Sequence, residues 1–374
     1  MNFINNIKRK YEVPVLVSLI FLPIASIIGI PIYIINYGIV WQEIAMLFIG
    51  WFFAGTGITI GYHRLFAHRT FKTYPIIEWF YMLTGSMALQ NSILKWCSDH
   101  RRHHKKLDTK DDPYSIKEGF FHAHIGWIIK KGDNNYSHVS DLERKSAVKF
   151  QEKYYWSLAL FLSFVLPMII GYSYGRPIGG LLWGGILRTT LVHHFTFFIN
   201  SLCHYLGNRN YDPSTSARDS WIMAFLTFGE GYHNYHHKFQ WDYRNGIKWY
   251  NFDPSKWIIK FLSLFNITYG LRKVPDYLIF QAKVDTLYKK INTLANYVQS
   301  KNRYISNMNE IIKEVTINLD LWKNLEQKYK GIKEGEKISN QLKYYKKQKI
   351  FYEVELQKSI SSLMLILVSV KNSS

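Results

Sequence analysis

The sequence predicts an all-α integral membrane protein with four transmembrane helices in two hairpins, a cytoplasmic helical cap and a helical C-terminal tail. Three observations predict it. Apolar runs long enough to cross a bilayer fill much of residues 13–61 and 155–200. Lysine and arginine gather on one side of those runs, the side that faces the cytoplasm when loop charge sets orientation. Histidine-rich segments leave the apolar runs on that same charged side.

The chain opens with Lys8-Arg9-Lys10, followed by an apolar run from Val13 to about Tyr37. That run is too long for the apolar region of a signal peptide, and no small-residue cleavage site precedes the next apolar stretch. It is expected to be the first span, about 13–37, bent by Pro14, Pro23 and Pro31. A short loop without Lys or Arg leads into the second span, about 43–62, which delivers His63 at its end. Ile76 to Leu89 is apolar but short for a span, so it is expected as an interfacial or buried helix. The third and fourth spans, about 155–172 and 178–202, flank a Gly- and Pro-containing loop whose one basic residue is Arg176. Both hairpin turns are therefore expected on the non-cytoplasmic side, and every histidine cluster on the other.

Composition shifts from about Asp276, where Lys and Glu alternate with Ile, Leu and Tyr. The stretch is expected to be helical, without a sustained heptad. Residues 278–374 hold 17 basic and 9 acidic residues, a net charge of +8. A solvated helical tail is the simpler expectation, ahead of a lipid- or partner-binding one. Two domains are expected: a membrane domain over 1–275 and a lysine-rich helical extension over 276–374.

The 374 residues carry a net charge of +20, and the mean hydropathy of −0.14 averages apolar spans with a polar tail. Because the charge flanks apolar segments, it points to a membrane surface and away from nucleic acid. Cys97 and Cys203 are too few for a disulfide scaffold. The sequence contains no internal repeat and no nucleotide-binding glycine loop.

His100-Arg101-Arg102-His103-His104 places three imidazoles at i, i+3 and i+4, on one face of a helix. His233-Asn234-Tyr235-His236-His237 repeats the spacing. His63 and His68 stand five apart, which a regular α-helix cannot put on one face; the pair fits a helix end, where backbone geometry changes. With His204 there are nine imidazoles, more than one metal takes, so the cap is expected to hold a histidine-rich dimetal site. Few carboxylates lie in the clusters, against Mg²⁺ or Ca²⁺, and few thiolates, against structural zinc or iron–sulfur. Imidazole-rich sites suit Fe, Cu or Zn. His122, His124, His138, His193 and His194 lack the spacing and are left outside the set. A metal pair at the membrane face, above an apolar bundle, fits oxidative work on a lipid chain held away from water.

These runs resemble the membrane fatty acyl-CoA Δ9 desaturases of the stearoyl-CoA desaturase family. The matching segments are Gly61-Tyr62-His63-Arg64-Leu65-Phe66-Ala67-His68-Arg69, Asp99-His100-Arg101-Arg102-His103-His104-Lys105 and Gly229-Glu230-Gly231-Tyr232-His233-Asn234-Tyr235-His236-His237. Asn200-Ser201-Leu202-Cys203-His204 and Asp242-Tyr243-Arg244-Asn245 also fit. The likeness spans about residues 10–275.

The resemblance implies two iron ions held by His63, His68, His100, His103, His104, His204, His233, His236 and His237, with Asn200 acting through water and no catalytic residue beyond the metal centre. It implies O₂ as co-substrate and a long-chain saturated acyl-CoA that receives a cis Δ9 double bond. Gln90, Trp96 and Thr196 match positions that hold the bend of an acyl tunnel. Asn91 and Asp99 match positions that contact the CoA headgroup, and Lys130 and Lys131 fall near residues facing its phosphates. Trp51 stands at the tunnel floor, where the family often has a smaller aromatic, so shorter chains are expected. Electrons are expected from a separate cytochrome b5 or ferredoxin-like carrier with its reductase, since no histidine follows His237 to ligate haem. The expected location is a multi-pass protein of the endoplasmic reticulum or bacterial cytoplasmic membrane, with a cytoplasmic site. The same histidine pattern occurs in acyl-lipid and acyl-carrier desaturases and in fatty acid hydroxylases. A non-catalytic scaffold would require broken ligand positions, and none is broken.

Overall fold

The structure, a computed structural model, describes residues 12–130, 136–297, 301–335 and 339–373. Lys131 and the Lys8-Arg9-Lys10 run lie outside the described residues. The chain divides into two units, 1–208 with 215–273, and 209–214 with 274–374.

In the first unit, α1 (Val13–Tyr37) and α2 (Trp41–Ala67) form a helical hairpin. Gly38, at φ 68°, ends α1 in a conformation that costs a side-chain-bearing residue more. Glu43 fastens the turn: it is fully buried, accepts from Tyr33 Oη at 2.6 Å and from Val40 N at 3.2 Å. Pro75 opens the short helix α3 (Pro75–Ser86), since a first-turn proline loses no hydrogen bond. Ser92 caps α4 (Ile93–Lys106), its Oγ accepting from Lys95 N at 3.4 Å. A short helix α5 follows over 122–129.

A second hairpin joins α6 (Ser146–Ser173) to α7, which runs over 177–205. Tyr154, at φ −117° and ψ 18°, breaks α6 where the polar stretch gives way to the apolar one. Glycines let the two helices touch: a Cβ on Gly180 would stand 2.2 Å from Pro167 O. Among the described residues, α1, α2 and α6 are long and apolar enough to cross a membrane. The fourth expected span lies in α7, whose apolar run is interrupted by Arg188, His193, His194 and Asn200.

Three short helices complete the unit: α8 (Trp221–Leu226), α9 (His233–Lys238) and α10 (Pro254–Leu264). β1 (Lys72–Thr73) pairs antiparallel with β2 (Thr268–Tyr269).

π-helical turns occur in α1 (Ala25–Gly29), α2 (Gly57–Ala67), α6 (Phe161–Val165) and α7 (Gly180–Leu187). In α2 the turn has a direct consequence. His68 N donates to His63 O at 3.0 Å, an i to i+5 bond, so residues five apart come onto one side. The backbone change inferred from the His63–His68 spacing thus begins within the helix, several residues before its end.

The second unit contains α11 (Asp276–Ala295), α12 (Lys301–Gly335) and α13 (Ser339–Ser373). Their apolar faces meet around fully buried Trp322, with Met308, Leu356 and Leu363. Phe280 lies 5.7 Å from the Trp322 ring, and Lys349 Nζ bonds Asp276 Oδ2 at 2.6 Å.

Candidate metal centre and cavity

Four elements of the first unit deliver the nine imidazoles. The π turn of α2 brings His63 and His68, α4 brings His100, His103 and His104, the end of α7 brings His204, and α9 brings the last three. They fall into two groups. His63, His68, His100, His104 and His236 form one; His103, His204, His233 and His237 form the other, with the ligand atoms of each group within 4.8 Å of one another. Neighbouring Nε2 atoms stand 2.8 Å apart in His68–His100, 3.0 Å in His63–His236 and His236–His104, and 3.0 Å in His233–His204 and His237–His233. Two nitrogens bound at right angles to one metal at about 2.1 Å are separated by about 3.0 Å. The spacing suits metal ligation.

The protonation state suits it as well. Burial, reinforced by neighbouring imidazoles, holds His68, His100, His103, His104, His233, His236 and His237 well below the ordinary histidine value. Neutral imidazole is the ligating form.

Outer partners turn the Nε2 atoms inward. His63 Nδ1 lies 2.9 Å from Glu230 Oε2, and His103 Nδ1 lies 2.7 Å from Asp112 Oδ1. His100 Nδ1 meets Tyr114 Oη at 3.2 Å. His204 Nδ1 meets Ser216 Oγ at 2.7 Å, and Ser216 Oγ donates in turn to Asp108 Oδ1 at 2.5 Å. Such partners fix the tautomer and ring orientation of a metal-binding histidine. Each group therefore contains one imidazole backed directly by a carboxylate. The donor set fits two nitrogen-preferring metal ions.

The two carboxylates are held differently. Glu230 accepts from Arg64 Nη2 at 3.1 Å and from Asn245 Nδ2 at 2.7 Å, and Arg64 also bonds Asp253 Oδ1 at 2.9 Å and Tyr243 O at 2.8 Å. Burial alone would raise the Glu230 carboxyl; His63 and the Arg64 guanidinium outweigh it and hold the group below the ordinary carboxylate range. Asp112 accepts from the backbone N–H groups of Asp108 and Tyr114. The Gly229-Glu230-Gly231 run makes the approach possible. Gly229 has φ 103°, and a Cβ on Gly231 would lie 2.0 Å from Ala224 N.

Beside the imidazoles lies a cavity of about 1140 Å³, lined by His63, His100, His103 and His233 on one side. That exceeds the roughly 300–1,000 Å³ of ordinary small-molecule pockets. Trp51, Gln90, Asn91, Trp96, Asp99, Lys130, Thr196 and Asn200 all line it as well. Gln90 links two of the others: its Nε2 donates to Thr196 Oγ1 at 3.0 Å, and its Oε1 accepts from Trp96 Nε1 at 3.4 Å. Trp96 stacks on His100 with centroids 4.8 Å apart, and Trp51 packs on Phe228 at 4.7 Å. Asp99 is paired with Lys95 at 3.0 Å and Arg102 at 3.4 Å. A smaller polar cavity of about 600 Å³ shares Arg102, His122 and Lys130 with the first and adds Lys105, Lys106 and Lys110.

The residues behind the imidazoles are less visible in the sequence. Arg64, a charge at the end of an apolar run, and Glu230, an acid between two glycines, carried a signal. Asp108, Asp112, Tyr114 and Ser216 carried none that spacing reveals. Of the histidines outside the two groups, His193 lines the cavity, and His124 Nε2 meets His194 Nδ1 at 3.2 Å.

Comparison with known proteins gives these groups a context. Residues 40–267 match the family described as fatty acid desaturase. A probable acyl-CoA desaturase of Schizosaccharomyces pombe is 43% identical over 228 residues, 60% of this chain and 48% of that protein. Acyl-CoA desaturase 1 of Saccharomyces cerevisiae is 40% identical over 242 residues, 64% of this chain and 48% of the yeast protein. An sn-1 stearoyl-lipid 9-desaturase of Anabaena variabilis is 32% identical over 236 residues, 62% of this chain and 85% of that protein. The chain spans about half the length of the two yeast relatives. With most of the matched region forming the helices and histidine groups described above, the chain belongs to the fatty acid desaturase family.

Proposed function

We propose that the protein is an O₂-dependent membrane desaturase that inserts a cis double bond, at Δ9, into a long-chain saturated acyl-CoA. The observation that carries the reading is the junction of two imidazole groups with a large, mostly apolar cavity. Two iron ions, with Asn200 acting through water, are the cofactors proposed. The chemistry they supply when bound is O₂ activation and cleavage of unactivated C–H bonds.

The chain's own residues do the rest. Apolar and aromatic walls take the hydrocarbon out of water, and Gln90, Trp96 and Thr196 shape the cavity where the chain passes the imidazoles. Asn91, Asp99 and Lys130, with the lysines of the adjoining polar cavity, offer contacts to a phosphate-bearing headgroup; Lys131 is proposed beside them. Trp51 is proposed as the floor. Removing two hydrogens releases two electrons, whereas reducing O₂ to two waters takes four. The other two come from an external carrier, cytochrome b5 or ferredoxin-like, through its reductase.

Residues 1–275 are proposed as a four-span membrane domain, with α7 as the fourth span and the imidazoles on the cytoplasmic side; 276–374 form the helical extension. The Anabaena relative's name keeps a lipid-bound acyl substrate as the second reading. The polar cavity, where four lysines and Arg102 outnumber Asp111, Asp112 and Glu118, favours CoA.

Expression in an auxotroph for unsaturated fatty acids, with gas chromatography of total fatty acids, tests the reading. Wild type is expected to yield Δ9 monoenes, and His103→Ala none. A hydroxylated product would overturn desaturation, and product in His103→Ala would overturn the role of the imidazoles.

A further inference from the structure

Two buried nitrogen bases of α7 take no part in the metal groups. Arg188 is fully buried and pairs with no carboxylate among the described residues. An unpaired cation in an apolar segment is costly and is retained where it has a task. His193, 7% exposed, stands five residues on.

Both donate to one stretch of main chain. Helix α3 ends at Ser86, leaving carbonyls that no helical N–H can reach. Arg188 Nη1 donates to Met87 O, and Ser163 Oγ donates to the same oxygen at 3.0 Å. His193 Nε2 meets Ala88 O at 2.8 Å. On the far side of the stretch, Tyr155 Oη accepts from Asn91 N at 2.8 Å. Leu89 and Asn91 are held at φ 53° and 74°, a left-handed conformation that asparagine tolerates and that leucine keeps only when its surroundings enforce it. Between them stands Gln90, the residue that ties Trp96 to Thr196 across the cavity.

Arg188 itself does not line the cavity. Its remaining donors grip Gly184 O at 3.0 Å and Ser163 O at 3.2 Å. Ser163 lies four residues before Pro167, which has no N–H to offer it. The arginine stem runs past Gly50 of α2, where even a Cβ would make only ordinary contact, 3.4 Å from Arg188 Cγ. Arg188 thus clamps the end of α3 to α6 and α7.

We propose that Arg188 and His193 are positioning residues that fix where along the acyl chain the double bond forms. Acting through the backbone of residues 87–91, they hold Gln90 at the bend, so the same two carbons always face the imidazoles. The proposal rests on the desaturase reading above.

The test compares wild type, Arg188→Lys, His193→Leu and His193→Gln, reading double-bond position in the monoenes by mass spectrometry and hydrogen exchange across 87–91. Arg188→Lys keeps the charge but loses the guanidinium fork. It is expected to raise the fraction of positional isomers about tenfold, as a small misplacement of the reacting carbons would, and amide exchange in 87–91 by a similar factor. His193→Leu is expected to do the same and His193→Gln, which keeps a side-chain N–H, to restore wild-type values. Should Arg188→Lys fail to accumulate, the His193 pair decides. A merely structural role lowers yield and leaves the positional ratio unchanged, and that result overturns the proposal. Absence of any monoene from wild type overturns the desaturase reading, and this proposal with it.

Discussion

The Glu230 and Asp112 carboxylates pair with different imidazoles, His63 and His103, which makes the two charges separable. Glu230→Gln keeps the shape and removes the charge that orients His63. Metal affinity is expected to fall about 10- to 100-fold, read as metal bound per chain across a chelator series; unchanged affinity would contradict the role. Arg64→Met leaves Glu230 and Asp253 buried without their cation and is expected to cost about 3–5 kcal/mol, measured by denaturant unfolding in detergent. The imidazoles also predict a pH dependence. The folded-state values of His68, His100 and His236 lie well below 6.5, so between the folded and unfolded values the unfolded chain binds more protons. Metal-free protein should be at full stability above about pH 6.5 and lose it progressively below; a thermal midpoint flat from pH 7.5 to 5.5 would contradict this. The grouping of His100, His103 and His104 and of His233, His236 and His237 was legible because i, i+3, i+4 spacing is local to a helix. Asp112 and Ser216 were not, because loop closure alone brings them to His103 and His204.

The π turn is the device that brings the two imidazoles at the end of α2 to one side. His63 and His68 would diverge on an α-helix; one i to i+5 bond aligns them. The spacing announced a change of geometry, yet its kind depends on packing against α3. Gly57 shows how close that packing is: a Cβ there would lie 2.4 Å from Gly85 N, which is backbone and cannot move aside. Gly57→Ala is expected to destabilise by about 1–3 kcal/mol, measured as a lowered thermal midpoint, and no change would show that the approach is slack. Apolar runs made α1, α2 and α6 legible as long helices. In α7 the polar residues that blur the span are the ones with work at its flank: Arg188 and His193 hold main chain, and Thr196 faces the cavity. The tail was legible as helix, but its core around Trp322 was not, because three different helices supply it and no heptad repeats.

Across the first unit, polarity separates two ends. Imidazoles and lysines gather at one, and the Tyr33–Glu43–Arg176 cluster closes both hairpin turns at the other. Four spans would put those turns on the side opposite the imidazoles. Cysteines introduced as Ile39→Cys and Tyr172→Cys are expected to react with an impermeant maleimide from the non-cytoplasmic side, and Lys110→Cys only after permeabilisation. Labelling of all three from one side would contradict the topology. The proposed chemistry depends most on two metal ions sitting in the two imidazole groups. Its most direct measurement is iron per chain in purified wild type beside His103→Ala, by elemental analysis. Two irons in wild type, with the variant losing iron from the four-histidine group, is the result predicted. One iron or none in a wild type that makes product would contradict it.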